Sequence, residues 1–154
     1  MTHRPQAYVD TSVYGGVFDA EFAGASKDFF DLVCVEKIQL FTSEVVSDEI
    51  ALAPENVRNF YDKLLPYASI VKVTADVLLL QRAYIQAGIL TEKWYDDALH
   101  VAVATVAGCD LIVSWNFKHI VNFNKIPKFN AVNILQGYRH IDIYSPFEVA
   151  DNEE

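Results

Sequence analysis

Short apolar runs that stop at a polar residue, each followed by a helix-like stretch, constrain this chain more than any other feature. Ala7-Tyr8-Val9 stops at Asp10, Gln39-Leu40-Phe41-Thr42 stops at Ser43, and Leu111-Ile112-Val113-Ser114 gives way to Trp115 and Asn116. Residues 69–73 form a third such run in chain order, and Ile141-Asp142-Ile143 is a candidate fifth. Strands of this length alternating with helical periodicity indicate βαβ units and a mainly parallel sheet.

The helices carry their own punctuation. Ser26 reads as an N-cap for a helix with Phe29, Phe30, Leu32, Val33 and Ile38 on its apolar side. Ser43 caps the next, which carries Val45, Val46, Glu49 and Ile50 and stops before Pro54. Pro54-Glu55 starts another helix towards Leu65, because proline suits a first helical turn. Thr74 caps a long helix that Gly88 ends, and a helix opening at Asp97 is ended by Gly108. Segments 118–123 and 130–136 read as short helices, and Gly15, Gly16 and Gly24 read as loop punctuation.

No linker, repeat or low-complexity run divides the chain, so residues 1–150 are expected to form one domain. Residues 151–154 are expected to be a disordered acidic tail. At 154 residues such a domain buries about 70% of its unfolded surface. No apolar stretch reaches the ~20 residues that span a bilayer, and residues 1–6 lack the apolar centre of a signal peptide. The expectation is a cytoplasmic protein with no membrane association. Cys34 and Cys109 have no paired spacing and read as buried reduced thiols, and the four histidines are scattered along the chain.

The formal charge of −9 argues against long, tight nucleic-acid binding. Six of the 21 acids, however, belong either to the tail or to a candidate site made of Asp10, Glu49 and Asp97. Parallel sheets place ligands beyond the carboxyl ends of their strands. Asp10 and Asn116 sit at such ends, and Glu49 and Asp97 lie early in helices that start beside the same edge. Three carboxylates and an amide oxygen make a hard, all-oxygen set suited to Mg²⁺ or Mn²⁺. Gathered without a cation they would repel one another. With one, they can polarise a phosphodiester and acidify a water. No Ser-His-Asp or Cys-His pairing, P-loop or dinucleotide fingerprint competes.

Each residue also has a plainer role. Asp10 suits a helix N-cap, and Glu44 and Asp48 share a helix with Glu49. Asp96 and Asp97 point about 100° apart. Asp96, four residues before His100, reads as an ordinary surface pair, whereas Asp97 shares a face with Val101 and Ala104. Asn116 suits a turn as well as a ligand set. Lys118 and His119 are either phosphate contacts or ordinary polar residues at a helix start. Trp115 either stacks a base or packs internally. Phe29 and Phe30 belong to the core or to an interface groove.

Taken in order, Tyr8-Val9-Asp10-Thr11-Ser12, Thr42-Ser43 through Glu49-Ile50, Asp97-Ala98-Leu99-His100-Val101-Ala102, and 111–119 resemble the PIN-domain proteins over nearly the whole chain, above all the VapC-type toxin ribonucleases. The resemblance implies a PIN-like three-layer α/β/α sandwich around a central, mainly parallel sheet of four to five strands. It implies a Mg²⁺- or Mn²⁺-dependent endoribonuclease acting on single-stranded or structured RNA, as the toxin of a type II toxin–antitoxin pair. Asp10, Glu49 and Asp97 would be the metal ligands, with Thr11 or Ser12 supporting the first. Asn116 stands where many members carry a fourth Asp, which bears on whether one metal or two is held. Ser12, Lys118 and His119 would contact substrate. A small antitoxin and homodimerisation are implied as well. Two alternatives remain: a PIN-like binding or regulatory module without turnover, and a flavodoxin-like small-ligand domain.

Overall fold

The computed structural model describes residues 4–151. Five strands form one sheet in the order β3-β2-β1-β4-β5, and every pairing is parallel. They are β1 (Gln6–Val9), β2 (Gln39–Ser43), β3 (Ala68–Val71), β4 (Leu111–Val113) and β5 (Asp142–Tyr144). Ala7, Tyr8, Val9, Ile112 and Val113 are wholly buried, as befits central strands covered on both faces. Edge strand β3 instead exposes Ser69 and Ile70.

Among the described residues eight α-helices cover the sheet: α1 (Thr11–Gly16), α2 (Ala23–Cys34), α3 (Glu44–Ala51), α4 (Glu55–Leu64), α5 (Ala75–Gln86), α6 (Tyr95–Val106), α7 (Ile126–Leu135) and α8 (Pro146–Asp151). One layer joins α1, α2, α3, α4 and α8 through their mutual contacts, while α5 packs on α6 and α7 in the other. The result is the expected three-layer α/β/α sandwich, with all five strands parallel. Strand order grows outward from β1 to β3 on one side, then returns to place β4 on the other side of β1. That reversal opens a crevice at the carboxyl ends of β1 and β4.

The anticipated caps at Ser43 and Thr74 are present. Ser43 Oγ accepts from Val46 N–H at 3.3 Å and Thr74 Oγ1 from Val77 N–H at 3.4 Å. Helix α6 is buried on nearly every side, including Ala98, Val101, Ala102, Val103 and Ala104. Its end is a Schellman closure. Gly108 takes φ +77°, Cys109 N–H reaches Ala104 O at 3.1 Å, and Gly108 N–H reaches Thr105 O at 3.1 Å.

Several expectations need correcting. Helix α2 starts at Ala23, so Ser26 is no cap; it lies buried inside the helix and its Oγ accepts from Trp115 Nε1 at 2.8 Å. Gly15 and Gly16 belong to a short helix rather than a loop, because Asp10 caps the chain into α1 immediately after β1. Segment 118–123 is a series of turns. The following helix begins at Ile126, where Pro127 fits a first turn, and not at Asn130. Phe29 and Phe30 are core residues and offer no groove. Cys109 is buried as expected, but Cys34 is exposed at the end of α2. Asp151 closes α8, and the rest of the expected tail, 152–154, lies outside the described residues. Among the described residues no helix is long and apolar enough to cross a membrane.

Candidate active site

Asp10 sits where the crevice opens. Its backbone N–H still follows the ladder, donating to Val113 O at 3.2 Å, and its side chain then caps α1. Oδ1 accepts from Ser12 N–H at 3.2 Å and from Ser12 Oγ–H at 2.5 Å, while Oδ2 accepts from Ser114 Oγ–H at 2.7 Å. The two hydroxyls in turn accept backbone N–H groups, Ser12 Oγ from Trp115 and Ser114 Oγ from Asn116, each at 2.9 Å. The end of β1 is thereby tied to the end of β4 through one buried carboxylate. Capping and site placement are one arrangement, not competing ones. Burial pushes the Asp10 carboxyl above its ordinary value, against the pull of His100 and the two serine hydrogen bonds.

Glu49 reaches the same edge from α3. Its Oε1 accepts from Thr11 Oγ1–H and from His100 Nε2–H, the latter at 2.8 Å. His100 is buried in α6, and its Nδ1 shares a 2.8 Å hydrogen bond with Tyr8 OH, which shares another of 2.8 Å with Ser43 Oγ. A continuous chain Ser43–Tyr8–His100–Glu49 therefore links β2, β1, α6 and α3. Burial disfavours charge on both partners, yet their hydrogen bond and attraction outweigh it. Glu49 is held below its usual carboxylate value, and His100 is raised by Glu49, Asp10 and Asp97 together. All three acids therefore act electrostatically on this one imidazole.

Asp97, one turn before His100 on α6, shows the same pairing. Its Oδ2 lies 2.7 Å from His119 Nδ1, while neighbouring Asp96 is exposed. His119 N–H donates to Asn116 Oδ1 at 3.0 Å, and the His119 ring packs on Trp94 with centroids 4.2 Å apart. Asn116 thus satisfies its turn through its amide oxygen at the carboxyl end of β4. Lys118 projects from the next turn over Trp94. Trp115 is packed, with its ring stacked on Phe22 at 4.1 Å, so it has no free face for a base. Beside Glu49, an open depression of ≈ 380 Å³ is rimmed by Glu44, Asp48 and Asp96; these acids face outward from the hydrogen-bonded set. A separate apolar cavity of ≈ 290 Å³ lies off this edge, with Pro5, Ile38 and Leu111 near the starts of strands.

His100 thus escaped the sequence reading, and His119 was expected as a substrate contact, not as the partner of Asp97. Asp96 and His100 are not a surface pair, because His100 points inward to Tyr8 and Glu49. Its signal was present, since a histidine three residues after Asp97 shares that residue's helix face. For His119 no sequence signal named Asp97 as partner, because the two are 22 residues apart.

The donor chemistry fits a hard divalent cation. Three carboxylates are gathered at one edge, and Glu49 Oε2 and Asp97 Oδ1 make no hydrogen bond among the described residues. Their other oxygens carry the orienting hydrogen bonds typical of ligating carboxylates. Among the described residues, though, no three acids, histidines or cysteines stand close enough together to hold one ion directly. The fit is therefore one of residue type, and an ion held there would keep waters in its shell, as Mg²⁺ does.

Fold and site together define an α/β protein with an acidic cluster at the switch point of a parallel, PIN-like sandwich. Comparison with solved structures agrees with that class. The crystal structure of VapBC2 from Rickettsia felis, bound to a DNA fragment from their promoter, matches with a TM-score of 0.61 at 14% identity, covering 91% of this chain and 98% of that one. At that identity the likeness concerns the fold. No protein-family model matches the chain, and no curated protein matches it.

Proposed function

We propose that the protein is a metal-dependent endoribonuclease that hydrolyses phosphodiester bonds of single-stranded RNA. The observation that carries this reading is the convergence of Asp10, Glu49 and Asp97 on the carboxyl edge shared by β1 and β4, each with its orientation set by a protein donor. Mg²⁺ or Mn²⁺ bound there would supply positive charge to a phosphodiester and acidify a water. The chain's own part is positioning. Ser12 and Ser114 hold Asp10, Thr11 and His100 hold Glu49, and His119 holds Asp97. Glu49 Oε2 and Asp97 Oδ1 would be the oxygens available to a cation, and Ser12, Lys118 and His119 are the proposed substrate contacts. In the absence of a cation, the neighbouring acids favour the protonated form of His100, which in that form offsets part of the carboxylate charge.

The fold of the Rickettsia felis neighbour supports a wider reading. On it, this chain is the toxin of a type II toxin–antitoxin pair that works in the cytoplasm as a homodimer and is restrained by a small antitoxin. Asn116 supports a second reading, a PIN-like module with little or no turnover, because it brings an amide already engaged by His119 where an acid would add charge.

One experiment separates the two. Purified protein is incubated with a labelled single-stranded RNA in EDTA, Mg²⁺ or Mn²⁺, beside an Asp10→Asn variant whose fold is checked by circular dichroism. The nuclease reading expects cleavage only with metal and none from folded Asp10→Asn. Cleavage that persists in the variant would remove Asp10 from the site, and no cleavage by wild type under any metal would favour the binding module.

A further inference from the structure

Beside the acidic site lies a small basic and aromatic cluster with a different composition. Lys93 Nζ stands over the Trp94 ring at 5.1 Å from its centroid, and Lys118 Nζ stands over the same ring at 5.3 Å. The two lysines are 25 positions apart in the chain, one in the 3₁₀ turn Glu92–Trp94 and one in the turns after β4. They meet because α6 and the end of β4 pack side by side. Neither ammonium makes a hydrogen bond or ion pair among the described residues, although both are exposed in a chain with nine more acids than bases. Lys27, Lys63, Lys72 and Lys128 likewise make none among the described residues, but none of these four stands over an aromatic ring.

Two like charges over one indole raise the local positive potential, and an anion near them would be attracted by both. The indole attracts each ammonium through its negative face and so holds them in place while they wait for such a partner. The cluster is also joined to the acids. Trp94 packs on His119, and His119 donates to Asp97. A strand lying across Asp97 would therefore pass close to this cluster.

We infer that Lys93 and Lys118, seated on Trp94, form a phosphate-binding subsite that grips the RNA backbone next to the phosphate being cleaved. The inference rests on the nuclease reading and deepens it. It accounts for how a chain of net charge −9 could seat a polyanion at its acidic edge. Lys93 and Trp94 enter here from geometry alone. Phosphate fits better than an acidic peptide because the cluster adjoins Asp97, where the reacting phosphodiester must lie.

The test measures binding of a fluorescently labelled single-stranded RNA by anisotropy, in EDTA so that no cleavage occurs, across a salt series. For single strands each phosphate contact contributes roughly 0.7 to the slope of log affinity against log salt. The Lys93→Ala/Lys118→Ala protein is expected to bind about tenfold or more weakly, with the slope reduced by about 1.4. A Lys93→Arg/Lys118→Arg protein should keep both affinity and slope. Wild-type affinity and slope in the double alanine variant would overturn the subsite while leaving wild-type cleavage, and hence the nuclease reading, intact. Weaker binding with an unchanged slope would also overturn it, since that is the mark of an indirect structural effect. If an oligoglutamate peptide binds wild type more tightly than RNA does and loses that binding in the double alanine variant, the cluster serves a protein partner and the proposal fails. Wild type that binds no RNA at all in EDTA would remove the subsite, while metal-dependent cleavage by the same protein still decides the nuclease reading.

Discussion

His100 Nε2 and Glu49 Oε1, on α6 and α3, lie 2.8 Å apart, and the imidazole that joins them is almost completely buried. Its other nitrogen is taken by Tyr8 OH, so the ring is fixed from both ends. Removing it leaves a cavity, a buried phenol short of a partner and a carboxylate without its counter-charge. His100→Ala should lower stability by about 2–4 kcal/mol, chiefly through the cavity and the lost buried hydrogen bond. The charge component is discounted because the Glu49 side chain is 36% exposed. Urea unfolding followed by circular dichroism measures the loss, and a change below about 0.5 kcal/mol would show that the pairing is incidental.

The same pair sets a pH dependence in protein stripped of divalent ions. His100 is raised above its ordinary 6.5, so its contribution is complete below that pH and is lost as pH rises through the folded-state value. Glu49 is lowered below 4.5, so its contribution is present above that pH and is lost as pH falls through its folded value. Between those two values the pair contributes most. Urea midpoints of EDTA-treated wild type should fall from pH 6.5 upward relative to His100→Gln, whose amide does not titrate. Parallel curves for the two proteins would contradict the assignment.

His119 holds Asp97 as His100 holds Glu49. If Asp97 binds the cation, His119→Phe should weaken metal affinity or cleavage by about 10–100-fold, the usual effect of losing a partner that orients a ligand. Isothermal calorimetry with Mn²⁺ reads the affinity separately from activity. An unchanged affinity would place Asp97 outside the ligand set.

Gly16 is required by close approach. A Cβ there would stand 2.6 Å from Trp115 Nε1 and 2.7 Å from Ser26 Oγ, breaking the hydrogen bond that joins α2 to the strand-end residue Trp115. Gly16→Ala should destabilise by about 1–3 kcal/mol through overpacking, read as a lower urea midpoint with an unchanged slope. Gly15→Ala, where no atom lies within 4 Å, is the control and should be close to neutral.

The two thiols should differ in reactivity. Burial, with Asp110 beside it, pushes Cys109 up to about 12, so no thiolate forms there near neutral pH, whereas Cys34 is exposed. Iodoacetamide on native protein should add one label, at Cys34, and a second only in denaturant, as read by mass spectrometry of the peptides. Labelling of native Cys109 would show that its end of α6 opens readily.

How far the sequence reached depends on the range of the interaction. The order of the strands and of the longer helices, the caps at Ser43 and Thr74, and the stop at Gly108 are decided by neighbours a few residues away, so they are legible in the chain itself. Asp10 at a strand end and Asp97 in the first turn of α6 lie where composition and spacing place them. Glu49, expected early in its helix, lies instead in the last turn of α3. Asp97 in preference to Asp96 follows from the same helical periodicity.

Other features were beyond that reach, because the partner atoms come from distant segments. That Ser26 accepts from Trp115, that His100 turns inward to Tyr8 and Glu49, and that His119 meets Asp97 depend on how helices dock across the sheet. The meeting of Lys93 and Lys118 on Trp94 is of the same kind. By itself the sequence determined a parallel α/β chain with Asp10 at a strand end and Asp97 at a helix start. Only the tertiary structure decided which donor holds each acid and where the positive charge lies, since burial and electrostatic pairing act between atoms close in space, however far apart they are in the chain.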